Sequence, residues 1–283
     1  MIREPVFSGK FYPSNVKQLL NTIEDSFTRE DGYGNIPELS RSKLKKQELT
    51  GIMVPHAGYI YSAGVASHAY HELVNDGFPE TFIIIGPNHT GIGKPVSVYP
   101  EGKWLTPLGG VEIDTEFASK LIENSEYAEA DYTAHMNEHS IEVQLPLLQY
   151  FSNDFKIVPI VMGIQDKNTV NDLVNSIINT KNELKTNISI LASTDLSHFN
   201  NEETANKLDN IVLNHIKNMD SDKLFDSVKK DNITMCGYGP VMVAISYCKN
   251  IGEGTCKILK YSTSGNITGD YRSVVGYGSA LFK

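Results

Sequence analysis

Short, nearly continuous runs of apolar and β-branched residues constrain the fold of this chain more than any other sequence feature. The clearest are FIII at residues 82–85 and ISILA at residues 188–192. A strand that is apolar at successive positions is covered on both faces, as in the parallel or mixed sheet of an α/β protein. Helix-like segments separate these runs, which is the pattern of βαβ units. The sequence therefore predicts an α/β fold, a single domain over residues 1–283, with a central, mostly parallel or mixed sheet flanked by helices.

The predicted elements alternate along the chain. Strong strand patterns occupy residues 51–54, 81–85, 155–161 and 188–192, and weaker ones occupy 257–261 and 273–282. Helical patterns occupy residues 15–27, 62–75, 114–124, 140–151, 169–179, 202–218, 221–229 and 240–249. Asp114 and Asp220 stand where a helix N-cap is expected.

The composition indicates which environments and partners the chain does not suit. A formal net charge of −9 opposes binding to nucleic acid, and the short basic stretch RSKLKK at residues 41–46 is interpreted as a solvated loop. No apolar run reaches the roughly 18 residues that a membrane span needs, and the first residues lack the pattern of a signal peptide. We therefore expect a soluble cytoplasmic protein with no nucleic-acid or membrane partner.

Two histidines each follow a predicted strand. His56 comes after Pro55 in LTGIMVPHAGY, and His89 comes after the strand in TFIIIGPNHTG, 33 residues further along. This spacing is about one βαβ unit, so the two strands are expected to be parallel neighbours. Ligands of such sheets bind outside the carboxyl ends of the strands. We therefore expect both imidazoles to lie close together in one crevice, although a single loop histidine can equally well bond to the backbone.

Two further segments place ionisable groups near the same crevice. Asp195 and His198 follow a third strand in ISILASTDLSHF, and on a helical turn their i, i+3 spacing would put them on one face. The carboxylate would then orient an imidazole; the alternative is a helix-capping Asp beside a surface histidine. Glu138 and His139 stand at a predicted helix start in NEHSIEVQ.

Cys236 differs from the other two cysteines in its surroundings. It lies in ITMCGYGPV, a glycine-flanked loop directly before a predicted helix, whereas Cys248 and Cys256 are expected to be ordinary reduced thiols. The positive end of the following helix, together with a nearby metal, favours a thiolate, so the sequence predicts a lowered pKa and a reactive or metal-binding sulfur at Cys236.

These segments together resemble those of the Memo family, known in archaea and bacteria as AmmeMemoRadiSam system protein B. The matching motifs run from Gly9 to Phe282: GKFYP, VPHAGYIYSAGVA, GPNHTG, EHSIEVQLPLLQY, STDLSHF, MCGYGPV and GSALF. The resemblance implies a fold similar to that of the class III extradiol dioxygenases, which use non-heme Fe(II). It also implies a pocket in which His56, His89 and Cys236 are metal ligands and Asp195, His198 and His139 complete the site.

The implied ligand set departs from the two-histidine, one-carboxylate face of non-heme iron oxygenases. A thiolate with two imidazoles suits Cu(I), Zn(II) or Fe(II), so iron or copper is expected, with zinc as the alternative. If Cys236 is not a ligand, a carboxylate such as Asp195 would complete the set. A catechol dioxygenase also needs a base near the metal, and His198 and His139 are the candidates for that role.

The sequence thus leads to two hypotheses about function. The first is a metal-binding protein with redox or oxygen-related chemistry on a small-molecule substrate. The second is a non-enzymatic module that binds a peptide or partner protein in the same crevice. Such a module needs an apolar, aromatic groove, to which Tyr59, Tyr61 and Tyr238 are expected to contribute.

Overall fold

A large mixed sheet forms the centre of the molecule in the computed structural model, which describes residues 1–39 and 47–283. The predicted loop at 41–46 lies outside these residues. The strands are β1 (Ile2–Arg3), β2 (Gly51–Val54), β3 (Thr81–Pro87), β4 (Val96–Val98), β5 (Lys103–Thr106), β6 (Gly109–Glu112), β7 (Ala128–Ala130), β8 (Lys156–Met162), β9 (Ile188–Ser193), β10 (His198–Asn200), β11 (Cys256–Thr263) and β12 (Val274–Phe282). In the large sheet they lie in the order β10-β12-β2-β9-β3-β8-β4-β7, and β11 also pairs with β12.

The middle of this sheet is parallel and almost completely buried. Strands β2, β9, β3 and β8 run in the same direction, with Met53 opposite Ala192 and Ile83 opposite Ile190. Every residue of β2, β3 and β9 is buried, as the continuous apolar runs predict. Antiparallel strands complete the sheet on both sides of this parallel core. The predicted α/β class with a mixed central sheet is confirmed.

The predicted adjacency of the strands before His56 and His89 is wrong. Strand β9 lies between β2 and β3 and pairs with both of them in parallel. The 33-residue spacing fits a βαβ crossover, but a crossover can pass over one strand position that a later strand fills. Both histidine loops still leave the same edge of the sheet, because all three strands are parallel.

The helices are close to those predicted, with several ends shifted by a few residues. They are α1 (Val16–Thr28), α2 (Tyr59–Asp76), α3 (Thr115–Glu123), α4 (Leu145–Gln149), α5 (Lys167–Leu184), α6 (Glu202–Lys217), α7 (Ser221–Lys230), α8 (Tyr238–Ile251) and α9 (Gly265–Thr268). Asp114 and Asp220 cap α3 and α7, since their side chains accept hydrogen bonds from backbone N–H groups of the first turn.

The segment predicted as one helix at 140–151 is divided. A 3₁₀ turn at Glu142–Gln144 precedes α4, which has Pro146 in its first turn. Proline has no backbone N–H to donate and is tolerated only at such a start, so the α-helix begins late. The irregular backbone before it carries Glu138 and His139.

A small second sheet, with the order β1-β5-β6, was not predicted from the sequence. Its first strand is only two residues long and pairs in parallel with β5, so that Arg3 lies opposite Trp104. Both side chains are buried. Within the described ranges, no helix is long and apolar enough to cross a membrane.

Candidate metal centre

Three histidines converge at the carboxyl edge of the parallel strands. His56 follows β2, His89 follows β3, and His139 precedes the 3₁₀ turn before α4. One possible ligand atom from each lies within 4.8 Å of the other two, and the ring centroids of His56 and His89 are 5.1 Å apart. Bonds of about 2 Å to a common ion require only small side-chain movements from this arrangement. The prediction that His56 and His89 lie close together is confirmed, and the group could hold a metal ion.

Glu138 holds the second of these histidines at two points. Its carboxylate accepts hydrogen bonds from the backbone N–H of His89 at 2.7 Å and from Nδ1 of the same residue at 2.9 Å. It also accepts the N–H of Ser140 at 2.9 Å, and it lies 3.6 Å from Nδ1 of His139. Occupation of Nδ1 leaves Nε2 of His89 for a metal, the arrangement common in carboxylate–histidine–metal sites.

The charge of this pair follows from its hydrogen bonds. Burial works to raise the pKa of Glu138, but the hydrogen bond and positive charge of His89 lower it to about 2. Burial likewise works to lower the pKa of His89, but Glu138 raises it above its ordinary value. Glu138 is therefore an anion at neutral pH, and it compensates positive charge at His89 or at an ion beside it.

The hydrogen bonds of His56 define its tautomer. Ser193 donates its hydroxyl proton to the carbonyl of Ser140 at 2.7 Å, so its oxygen accepts from Nδ1–H of His56 at 2.9 Å. Nε2 of His56 then carries a lone pair, as a metal ligand must. Burial, followed by the charge of His89, lowers the pKa of His56 to about 3, so this imidazole is neutral at pH 7.

His139 also presents a neutral imidazole. Burial, followed by the charge of His56, lowers its pKa to about 3. The rings of Phe7 and Phe11 pack against it, with centroids 5.4 and 4.6 Å away. Sequence reasoning assigned His139 to the pocket as a base, whereas its position is equally that of a metal ligand.

Cys236 lies at the edge of the histidine group. Its sulfur is 3.2 Å from Nε2 of His56 and accepts the backbone N–H of Asp195 at 3.2 Å. The helix start alone does not lower the pKa: burial, followed by the negative charge of Asp195, raises the pKa of the thiol well above its ordinary value. Helix α8 does begin just after it, but the Gly237 amide donates to the hydroxyl of Thr194 and not to the sulfur.

Asp195 and His198 do not share a helical turn. Residues 194–197 have no regular structure, and His198 begins β10. Asp195 accepts the backbone N–H of His56 at 2.8 Å, and burial raises the pKa of its carboxyl group. His198 is held separately, with Nδ1 2.9 Å from the carbonyl of Thr234. Both expected arrangements, a shared helical face and a helix cap, are therefore wrong, because no helix passes through or begins at these two residues.

Sequence reasoning missed or misplaced several residues around the centre. Tyr59, expected in an open groove, is 2% exposed and donates its hydroxyl to the carbonyl of Val143. Ser193, which determines the tautomer of His56, shows no sequence signal beyond its place at the end of a strand. The ion pair of Arg3 and Glu142 joins segments 139 residues apart and carries no local pattern.

Comparison with known proteins gives a consistent result over the whole chain. The sequence profile of the Memo family, described as Memo-like protein, matches residues 3–281. A MEMO1 family protein of Methanobrevibacter smithii is 52% identical over 283 residues, covering 100% of both chains. MEMO1 family proteins of Methanopyrus kandleri and Ignicoccus hospitalis are 42% and 44% identical, each over 100% of this chain and 99% of the relative.

Proposed function

The chain belongs to the Memo family, and from this premise we propose that it is a metal-binding protein whose site carries redox chemistry on a small substrate. One observation carries the proposal: one possible ligand atom from each of three imidazoles lies within 4.8 Å of the other two, and one of these imidazoles is held by a buried carboxylate. A family name alone does not establish the chemistry, so the proposal depends on these donors.

The donor set fits a transition-metal ion. His56 and His139 are neutral, and Glu138 supplies negative charge beside the site without itself being a metal ligand. Imidazole suits iron, copper and zinc alike, and the neighbouring sulfur of Cys236 adds a soft donor. We propose iron or copper as the resident ion, with zinc as the alternative, and Cys236 as an additional ligand. Such an ion supplies Lewis-acid chemistry and, with iron or copper, electron transfer.

His198 and Asp195 act on the substrate in this proposal. The Nδ1 of His198 faces the carbonyl of Thr234, so Nδ1 carries the proton and Nε2 can accept one from a substrate. Burial raises the pKa of the Asp195 carboxyl group, so this group takes up a proton more readily than an ordinary aspartate and, when protonated, can donate a hydrogen bond in the pocket. These two groups give the pocket a base and an acid.

The test begins with metal analysis of protein purified anaerobically without a histidine tag. We expect close to one equivalent of iron or copper in the wild type, and its loss in His56→Ala and His89→Ala. O₂ consumption or oxidation of a reduced substrate should disappear with the metal. His215→Ala, a half-buried histidine on α6, is the matched control and should keep the metal. Wild-type protein that binds none of the three metals would refute the proposal.

Exposed apolar side chains in the segments at this edge of the sheet favour a second candidate, a module that binds a peptide or partner protein. The large apolar side chains that are exposed there are Ile60 (57%), Ile92 (54%), Met136 (45%), Ile164 (45%) and Phe199 (80%). Such groups are typical anchors of a binding surface when they cluster. A partner that binds the metal-free His56→Ala protein as tightly as the wild type would support this candidate, whereas loss of binding with the metal would oppose it.

A further inference from the structure

A completely buried ion pair lies behind the metal centre. Arg3 is 1% exposed, Glu142 is 0% exposed, and Nη1 of the arginine lies 2.6 Å from Oε2 of the glutamate. Replacing such a pair by apolar residues is often neutral or stabilising, so stability alone does not account for it. The positions of its other hydrogen bonds indicate a different role.

The guanidinium of Arg3 donates hydrogen bonds to the loop that carries His139. Nε donates to the carbonyl of His135 at 2.7 Å, and Nη2 donates to the carbonyl of Glu138 at 2.8 Å. Together with Glu142, these contacts hold three points of the segment 135–142 on one rigid, planar group. Glu138 is the middle one of these points, and His139 follows it directly in the chain.

Glu142 holds the segment that carries Phe7 and Phe11, which forms a wall of the pocket beside His139. Its Oε1 accepts the backbone N–H of Phe7 at 2.9 Å and the hydroxyl of Tyr12 at 2.7 Å. These two bonds fix both ends of the segment whose Phe7 and Phe11 rings pack on His139. The ion pair therefore fixes His139 from its backbone side and from its ring side.

The arginine is itself held in place by the small second sheet. Strand β1 aligns Arg3 with Trp104 of β5, and the guanidinium carbon lies 4.1 Å from the centroid of the indole ring. This stacking restrains the plane of the guanidinium and thus the direction of its donors. The small second sheet thereby helps to set the position of the histidine ligands, although its first strand is distant from them in the sequence.

We infer that Arg3 and Glu142 are positioning residues for the metal centre, and that they hold the Glu138–His139 backbone and the Phe7–Phe11 wall in the geometry that binds the ion. The inference rests on the proposed function, since it requires the three imidazoles to bind a metal. Neither residue contacts the metal or a substrate. Both act through the side chains that they place.

The test is an anaerobic titration with Co(II), whose absorption spectrum reports ligand geometry. Arg3→Met removes all the donors, and Arg3→Lys keeps the charge without the planar fork. We expect Arg3→Met to weaken Co(II) binding by about 10- to 100-fold, the usual effect of losing a residue that orients ligands. The absorption bands of the residual complex should shift, and Arg3→Lys should recover only part of the affinity.

The control separates positioning from general destabilisation. Leu121→Ala opens a cavity in α3, a helix that packs on α5, β7 and β8. It should lower thermal stability and leave the affinity and spectrum of Co(II) unchanged. Should Arg3→Met not fold, the Arg3→Lys protein decides the question by the same two readouts.

The two possible failures are distinguishable. If the wild type binds Co(II) and folded Arg3→Lys and Arg3→Met bind it with the same affinity and spectrum, the positioning role is overturned while the metal site stands. If the wild type binds none of Co(II), iron, copper and zinc, the proposed function fails, and this inference fails with it.

Discussion

The sulfur of Cys236 lies 3.2 Å from Nε2 of His56, the nitrogen that the tautomer leaves unprotonated. A neutral thiol can donate its proton to that lone pair, which satisfies both buried groups in the absence of an ion. A metal ion must therefore displace this hydrogen bond before it binds His56. The sulfur then becomes either a ligand or a displaced neighbour, and the two outcomes have different consequences for metal preference.

Replacing Cys236 and His139 separately should distinguish these outcomes. We expect Cys236→Ser to weaken Cu(I) binding by more than it weakens Fe(II) binding, because a soft ion loses more from the loss of sulfur. His139→Ala should weaken both. Competition with chelators of known affinity measures the effect, and Cys256→Ser, at the start of β11, is the control. Unchanged Cu(I) affinity in Cys236→Ser would show that the ligands are the three histidines without the sulfur.

Glu138→Gln tests the carboxylate that holds His89. The amide keeps the shape but loses the charge, and it offers one acceptor oxygen where the carboxylate accepts on both. We expect metal affinity to fall by about 10- to 100-fold. The control is Glu129→Gln, which removes an exposed ion pair with Lys94 and should change neither metal affinity nor stability measurably. Equal affinities of Glu138→Gln and the wild type would exclude this role for Glu138.

The sequence predicted the main elements because their signals are local. Buried strands are predicted by continuous apolar runs, and the starts of the helices after Asp114 and Asp220 are predicted by these N-cap residues. The order of the strands is not local. Nothing in the chain between β2 and β3 indicates that β9, more than 130 residues after β2, lies between them, because that choice depends on packing across the whole sheet.

The candidate site was predictable where a reactive residue follows a strong strand, as His56 and His89 do. The position of His139 as a possible ligand was not predictable, because it depends on an irregular loop whose shape is set by residues distant in the sequence. Arg3 imposes part of that shape from a two-residue strand, which is too short to carry a periodic pattern. Likewise, the pKa of Cys236 depends on burial and on Asp195, neither of which sequence proximity to a helix start could reveal.

The buried imidazole of His135 should make stability depend on pH. Burial, followed by the charge of Arg3, lowers its pKa from 6.5 to about 3. Between those values the unfolded state binds a proton that the folded state does not, so stability is lost as the pH falls below about 6.5. One such proton corresponds to a slope of about 1.4 kcal/mol per pH unit.

His135→Phe keeps an aromatic ring against Tyr99 and Trp104 but cannot titrate. It loses the contact of Nε2 with the carbonyl of Ser97, so we expect lower stability than the wild type at pH 7. Between pH 6 and pH 4 its free energy of unfolding should fall less steeply than that of the wild type, by up to about 1.4 kcal/mol per pH unit. Urea unfolding at several pH values measures this, and parallel pH profiles would contradict it.

Phe199 combines an unfavourable backbone conformation with an exposed ring. Its φ is 62°, its side chain is 80% exposed, and the pairing of β10 with β12 is irregular at this position. A left-handed conformation costs a non-glycine residue roughly 1–2 kcal/mol, and asparagine tolerates it better than phenylalanine. We expect Phe199→Asn to raise the free energy of unfolding by about 1 kcal/mol, whereas Tyr271→Asn, an exposed control without positive φ, should change it by less than about 0.5 kcal/mol.

Urea unfolding compares the three proteins. A gain in stability together with weaker substrate or partner binding would mean that the ring, despite its strained backbone, serves binding beside His198. A loss of stability would mean that the ring packs against the protein, and that this packing outweighs the backbone strain.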